Sequence, residues 1–428
     1  MTSPAPAAVE TVFRMESPRI IATVARIVRD VGIAEEIAQD ALVAALEQWP
    51  RTGVPERPGA WLTAAAKNRA VDLVRRRETY ERKLAEVGRE LTEELYDPEP
   101  SGPYDIDDDL LRLIFTACHP VLSAEARTAL TLRLLGGLRT DEIARAFLVP
   151  ESTVAQRIVR AKRSLAKAGV EFEVPYGEDR AARLGSVLEV IYLIFNEGYA
   201  ATAGDDLLRP ALCEDALRLA RVLAGLMPKE GEVHGLAALL EIQASRAGAR
   251  TGPDGQPVLL ADQNRSRWDR RLILRGFEAL GRAGEGGTYG PYALQAAIAA
   301  CHAKAPTYEE TDWRTIAALY GRLVVVAPSP VVELNRAVAV SMAEGPEAGL
   351  ALVDALADEH ALAGYHLLPS VRGDLLERLG RPAEACAEFE RAASLTRNER
   401  ERELLRERAE RARTGREDLA GREGREAR

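Results

Sequence analysis

Apolar residues in the first 170 positions recur every three or four residues, the period of an amphipathic helix, and proline and glycine cut the pattern into blocks. In "GIAEEIAQDALVAALEQW" (32–49), Ile37, Ala41 and Ala45 share one stripe, while Glu35, Glu36, Gln39 and Asp40 make a polar face. In "RPGAWLTAAAKNRAVDLVRRR" (57–77), Leu62, Ala66, Ala70, Leu73 and Val74 occupy one arc and Asn68, Asp72, Arg75 and Arg76 the other. Pro50, Pro55 and Pro58 predict a loop between these helices. Residues 142–165, "EIARAFLVPESTVAQRIVRAKRSL", read as two short helices joined by a turn. The first starts near Thr140, with Asp141 and Glu142 at its positive dipole end, and Pro150 opens the second. On that second helix Val154, Ile158, Ala161 and Leu165 form a narrow apolar stripe. Ser152, Gln156, Arg160 and Arg163 fall opposite, with Arg157 and Lys162 on the flanks. A further helical region runs from about 180 to 410, so the expected fold class is all-α.

Composition agrees: Ala, Leu, Arg and Glu are abundant and aromatics make up only 5%. A length of 428 residues implies several domains. No stretch approaches the length of a membrane span, and the N-terminus lacks the regions of a signal peptide, so no membrane partner and a cytoplasmic protein are expected. Cys118, Cys213, Cys301 and Cys386 lie far apart, and the five histidines form no metal-ligand spacing. No cofactor or metal is expected. Glu197, Asp205, Asp206, Asp262 and Asp269 could be cast as paired acids, but helix caps and solvated loops account for them, and no enzymatic activity is expected.

The arginine-bearing helix suits DNA: glutamine pairs with adenine and arginine with guanine in the major groove, while flanking cations hold phosphates. A solvated basic hairpin would look the same, so a second signal is needed. Residues 57–77 supply it. The run Arg75-Arg76-Arg77 is a phosphate-binding footprint, and Asn68 adds a side chain able to read a base. Trp61, at the start of that helix, either packs or stacks on a base.

The order "AEEIAQDAL", "PGAWLTAAAKNRAVDLVRRR", an acidic stretch and "LRTDEIARAFLVPESTVAQRIVRAKRSL" resembles the extracytoplasmic-function sigma factors of bacterial RNA polymerase. The resemblance covers residues 10–170. It implies a sigma-2-like domain over 10–80, an acidic linker over 81–109 and a sigma-4-like helix-turn-helix domain over 110–172. It further implies that Glu35, Glu36, Gln39 and Asp40 dock on the β′ clamp helices of core RNA polymerase, with the β flap as a second contact. Asn68, Arg69, Asp72, Arg75 and Arg76 then serve the −10 element, and Ser152, Thr153, Gln156, Arg157, Arg160, Lys162 and Arg163 the −35 element. Pro150 and Ser152 depart from the usual Ser and Gly at that turn, which bears on the promoter sequence read. A net charge of −9 fits a protein that binds DNA only with a cationic polymerase, and the linker, with Asp107, Asp108 and Asp109, is expected to enter a cationic channel there.

Residues 180–290 read as a helical extension, 291–412 as tetratricopeptide-like repeats and 413–428 as a disordered tail. "VRGDLLERLGRPAEACAEFERAASL" places Gly373, Gly380, Ala385, Phe389 and Ala392 at the repeat's offsets, small residues allowing two helices to cross closely with Phe389 in the gap. The whole chain resembles a sigma subgroup with such an extension. That resemblance implies control by the extension in place of a dedicated membrane anti-sigma factor. Repeat solenoids bind peptides, proteins or their own neighbouring domains in a concave groove, so a protein or peptide ligand, or packing of residues 180–410 against the sigma domains, is expected. Two other readings stand beside it: an operator-binding regulator with a sensory repeat domain, and a repeat scaffold with a vestigial DNA-binding part.

Overall fold

The computed structural model describes residues 5–87, 103–147, 149–199, 208–252, 256–396 and 398–426, with side chains described for most of them. They fold as α-helices, and among the described residues no β-strand forms. Two compact units divide the chain at Leu193/Ile194.

The first unit contains α1 (Ala5–Val28), α2 (Val31–Thr52), α3 (Pro58–Val87), α4 (Pro103–Ala117), α5 (Ala124–Leu134), α6 (Thr140–Phe147) and α7 (Glu151–Lys167). It also contains most of α8 (Gly177–Tyr199). Helices α1, α2 and α3 pack on one another, and α5, α6 and α7 form a second cluster. Asp30 starts α2 by accepting from the amides of Gly32 (2.7 Å) and Ile33 (2.9 Å), two of the donors a helix start leaves unpaired. Ser123 caps α5 in the same way. Gly53, at φ 85°, ends α2 and donates to Trp49 O.

Three expectations are corrected here. Pro50 lies within the last turn of α2 rather than in a loop, a place where the ring costs one backbone bond, and the break spans only 53–57. The stretch 81–109 is helical at both ends, since α3 runs to Val87 and α4 begins at Pro103; residues 88–102 and the side chains of Asp107 and Asp108 lie outside the described residues. Asp109, assigned to the linker, is 1% exposed and paired with Arg26 of α1 (3.1 Å) and Arg112 (2.8 Å).

Helix α8 opens beyond the boundary expected at 172, and its first half is tied to Cys118 and to Arg127 of α5. Ser186 is buried there, donating to Cys118 O (2.6 Å) and accepting from Arg127, which also pairs with Glu189 (3.2 Å).

The second unit contains α9 (Pro210–Leu226), α10 (Gly231–Ala244), α11 (Arg270–Gly284), α12 (Pro291–Lys304) and α13 (Trp313–Val326). It continues with α14 (Pro330–Glu344), α15 (Pro346–Asp354), α16 (Leu367–Arg378), α17 (Pro382–Leu395) and α18 (Glu399–Glu426). Five of these start on proline, whose missing N–H costs nothing at the first helical position. Val233–Ile242 of α10 are buried on every side, among α9, α11 and α12. From α12 onward each helix packs on its successor. At the crossing of α16 and α17, Gly373 faces Phe389 so closely that a Cβ would stand 2.8 Å from its ring. Phe389 is wholly buried, as the spacing predicts. Residues 413–426, expected to be disordered, continue α18, where Arg413 pairs with Glu410 one turn back and with Glu390 of α17. Residues 427–428 lie outside the described residues.

Among the described residues no helix is long and apolar enough to cross a membrane.

Candidate nucleic-acid interface

The second helix of the 142–165 motif is α7, and its stripe Val154, Ile158, Ala161 and Leu165 is buried. That burial fixes the rotation of the helix. Ser152, Gln156, Arg160 and Arg163 are therefore exposed, with Thr153, Arg157 and Lys162 half-buried at the edges. Pro150 stands just before α7 in extended backbone (φ −57°, ψ 142°), and its carbonyl accepts from Thr153 N (2.9 Å). At the start of α6, Glu142 accepts from Arg139 N (2.7 Å), a capping contact on the dipole's positive end. Arg160 reaches back to Gln156 Oε1 (3.4 Å), so the two side chains expected to read bases share the exposed face. Just after α4 and against Thr131 of α5, burial pushes the Cys118 thiol up to about 11, so it stays protonated and serves as packing.

Helix α3 makes the second surface. Leu62, Ala66 and Ala70 are buried and Leu73 and Val74 half-buried, leaving Asn68, Arg69, Asp72, Arg75, Arg76 and Arg77 exposed. Two positive rows thus lie on two helices of one unit. Trp61 packs: its ring meets the edge of Trp49 with centroids 5.5 Å apart.

On α2, Ile37, Ala41 and Ala45 are buried, Glu36 and Asp40 exposed and Gln39 half-buried. Glu35 departs from the expected polar face. It is 5% exposed, with Oε1 accepting from Arg133 Nε of α5 (2.6 Å) and from Gln39 Nε2 (2.9 Å). Its other oxygen pairs with Lys162 Nζ of α7. One expected polymerase contact and one expected DNA contact are thus spent on each other. Helical spacing on α2 could not reveal this, because both cationic partners come about a hundred residues later. Beside the pair runs an open cleft of about 860 Å³, walled by Gln39, Leu42 and Val43 on one side and Leu138, Arg139 and Asp141 on the other.

Of the acids that could be cast as catalytic, Glu197 pairs with Arg209, Asp269 caps α11 (2.8 Å to Arg271 N), Asp262 is exposed, and Asp205 and Asp206 lie outside the described residues.

Comparison with known proteins agrees with this geometry. Residues 12–79 match sigma-70 region 2, residues 112–165 match sigma-70 region 4, and residues 183–284 match a family of unknown function, DUF6596. An uncharacterized protein of Rhizobium meliloti, R00370, is 45% identical over 394 residues, covering 91% of this chain and 92% of that one. The ECF RNA polymerase sigma factor SigL of Mycobacterium tuberculosis is 32% identical over 141 residues, 33% of this chain and 76% of that protein. No solved structure matches the chain.

Proposed function

Because this chain belongs to the ECF RNA polymerase sigma factor family, we propose that it binds core RNA polymerase and directs it to promoters, reading two DNA elements with two helices. The observation that supports this most is the pair of exposed basic faces, on α3 and α7, each backed by a buried stripe that fixes its rotation. Region 2 presents Asn68, Arg69, Asp72, Arg75 and Arg76 to the −10 element. Region 4 presents Ser152, Thr153, Gln156, Arg157, Arg160 and Arg163 to the −35 element, and Lys162 joins them once released from Glu35. Glu36, Gln39 and Asp40 are the accessible part of the polymerase-docking face.

The negative net charge suits this division of labour. A free chain at −9 gains little from phosphate neutralisation, and core polymerase supplies the cationic surface. Holding both readers on one enzyme raises the effective concentration of each for its element. The protein then works in the cytoplasm.

The second unit is a regulatory domain built as a tetratricopeptide-like stack. The close crossing of Gly373 and Phe389 supports that reading, as does the parallel one at Gly349, where a Cβ would meet Ser341 Cβ at 2.3 Å. A protein or peptide is its ligand class.

The test is run-off transcription by purified core polymerase on a promoter library, with and without the full chain. Discrete transcripts only in its presence are expected. Specific DNA binding without polymerase, and no transcripts with it, would favour an operator-binding regulator instead.

A further inference from the structure

We propose that Arg246 and Arg250, with the Trp268 indole N–H, form a binding site in the second unit for a small, doubly charged oxyanion, a phosphate or a dicarboxylate. The site lies on neither DNA-reading helix and stands apart from the sigma reading above.

Four helix ends of the second unit supply the residues. Tyr199 ends α8, past the division at Leu193/Ile194, and Arg246 and Arg250 flank the short turn Ala247–Ala249 that follows α10. Trp268 precedes α11, and His302 lies in the last turn of α12. Asp269 N donates to Ser245 O (2.9 Å), which brings the start of α11 to the end of α10. The Arg246 guanidinium lies over the Trp268 ring, 5.2 Å from its centroid, and Arg265 lies over the same ring at 5.0 Å. Arg250 stands 3.8 Å over the Tyr199 ring and donates to Tyr199 O. Both Arg246 and Arg250 are half-buried, so a small solute can reach them.

Positive charge is in excess here. Arg265 is committed elsewhere: it donates to the carbonyls of His302 (2.5 Å) and Ala305 (2.6 Å) and to Thr311 Oγ1 (3.1 Å), closing the end of α12, with the charges of Glu309 and Glu310 close enough to act on it. Arg246 meets only the amide oxygens of Gln263 (3.4 Å) and Gln243 (3.3 Å), both long contacts, and pairs with no carboxylate among the described residues. Arg250 donates to a carbonyl, and Glu401, whose charge it feels, is already engaged by His366 (3.2 Å) and Thr396 (2.8 Å). An arginine keeps its charge when buried, and buried charges are normally paired. Burial holds the Arg246 guanidinium below its ordinary value; Tyr199 offsets this in part, and repulsion from Arg250 and Arg265 adds to it. Buried polar atoms of three side chains around Arg246 also lack hydrogen-bond partners among the described residues: Tyr199 Oη, Trp268 Nε1 and His302 Nδ1. Trp268 is 4% exposed, so its N–H has given up water without return. A phosphate or dicarboxylate suits this set, because its oxygens match the guanidinium fork and its two charges answer both arginines. A singly charged anion would leave one of them uncompensated.

The test is calorimetric titration of the full chain with inorganic phosphate and, separately, malonate, with sodium chloride matching the ionic strength. Saturable binding at one site is expected, and the probe that binds more tightly names the ligand class. Arg246→Gln and Arg250→Gln should each weaken that binding by at least about tenfold, the loss of a charge-assisted hydrogen bond. Arg322→Gln, at an exposed arginine of α13, should leave it unchanged. Thermal unfolding separates a ligand-binding arginine from one that merely holds the fold. In chloride alone, Arg246→Gln should melt no lower than the unsubstituted chain, because it removes an uncompensated buried charge. With the probe at saturation the unsubstituted chain should melt higher. An Arg246→Gln protein that melts lower by the same margin in chloride and in probe would make Arg246 structural and overturn the proposal. So would the absence of binding by both probes, or binding that Arg322→Gln weakens as much as Arg246→Gln does. These readouts do not involve transcription, so their failure leaves the sigma reading intact, and failure of that reading leaves the site standing.

Discussion

Trp49, near the end of α2, and Trp61, at the start of α3, meet edge to face, their ring planes 71° apart. The contact bridges the short 53–57 break and holds α2, the proposed polymerase-docking helix, against α3, the proposed −10 helix. Trp49 is 2% exposed, so the pair belongs to the core of region 2. Trp61→Ala should destabilise that region by roughly 2–4 kcal/mol, a little below the roughly 3–5 kcal/mol of fully buried aromatic truncations because Trp61 is half-buried. Trp61→Phe should recover about half. Thermal unfolding checks both; a Trp61→Ala protein of unchanged stability but failing to open promoters would mean that the ring stacks on a base.

The Gly373 crossing yields a prediction in the second unit. Gly373→Ala drives a methyl to within 2.8 Å of the Phe389 ring, with no room in a buried site, and overpacking of this kind costs about 1–3 kcal/mol. Gly373→Ala combined with Phe389→Leu should be more stable than the sum of the two single changes. Strict additivity in a double-mutant cycle would show that the two residues do not press on each other.

Acid sensitivity should reside in part at His302. Burial, and then the nearby Arg246 and Arg265, hold this imidazole down to about 4, against an ordinary value of 6.5. The native state therefore binds fewer protons than the unfolded chain between those values, and stability is lost as pH falls from about 6.5 through about 4. The loss is on the order of 3 kcal/mol when complete. His302→Gln should flatten that part of the stability–pH curve, as followed by the fluorescence of Trp313, whose ring lies 5.1 Å from the imidazole. A slope that survives the substitution would place the titrating group elsewhere.

Much of the first unit was legible because burial there is one-sided. A helix with one buried stripe announces its rotation, so Val154, Ile158, Ala161 and Leu165 on α7, and Leu62, Ala66 and Ala70 on α3, could be placed by period alone. Gly373 and Phe389 were legible for a related reason: their partners lie within one hairpin. Glu35 and Asp109 were not. Each is a carboxylate of the kind that normally faces water, and each is buried only because its cationic partners arrive from elsewhere in the chain, Arg133 and Lys162 for one and Arg26 for the other. The first half of α8 escaped notice because Ser186 and Glu189 look like an ordinary polar face until Arg127 and Cys118 O are set beside them. A chain cut at Val174 would accordingly strip region 4 of a packed helix as well as removing the second unit, so its activity would not isolate the effect of that unit.

Arg75 and Arg76 are exposed on α3 and, as phosphate contacts, should act through counterions. Replacing either with alanine in the holoenzyme should weaken promoter binding about equally at all sequences and reduce the slope of log affinity against log salt by about one. Loss of discrimination between promoters, with an unchanged slope, would mean that these arginines read bases.

The account's central claim is that two helices of this chain read two separate promoter elements, and sequencing of transcripts from a randomised promoter library tests it most directly. Holoenzymes carrying the unsubstituted chain, Gln156→Ala or Asn68→Ala would be compared on one library. The account predicts two conserved blocks with the unsubstituted chain, relaxation of only the upstream block with Gln156→Ala, and relaxation of only the downstream block with Asn68→Ala. A single block, or the same positions relaxed by both substitutions, would contradict it.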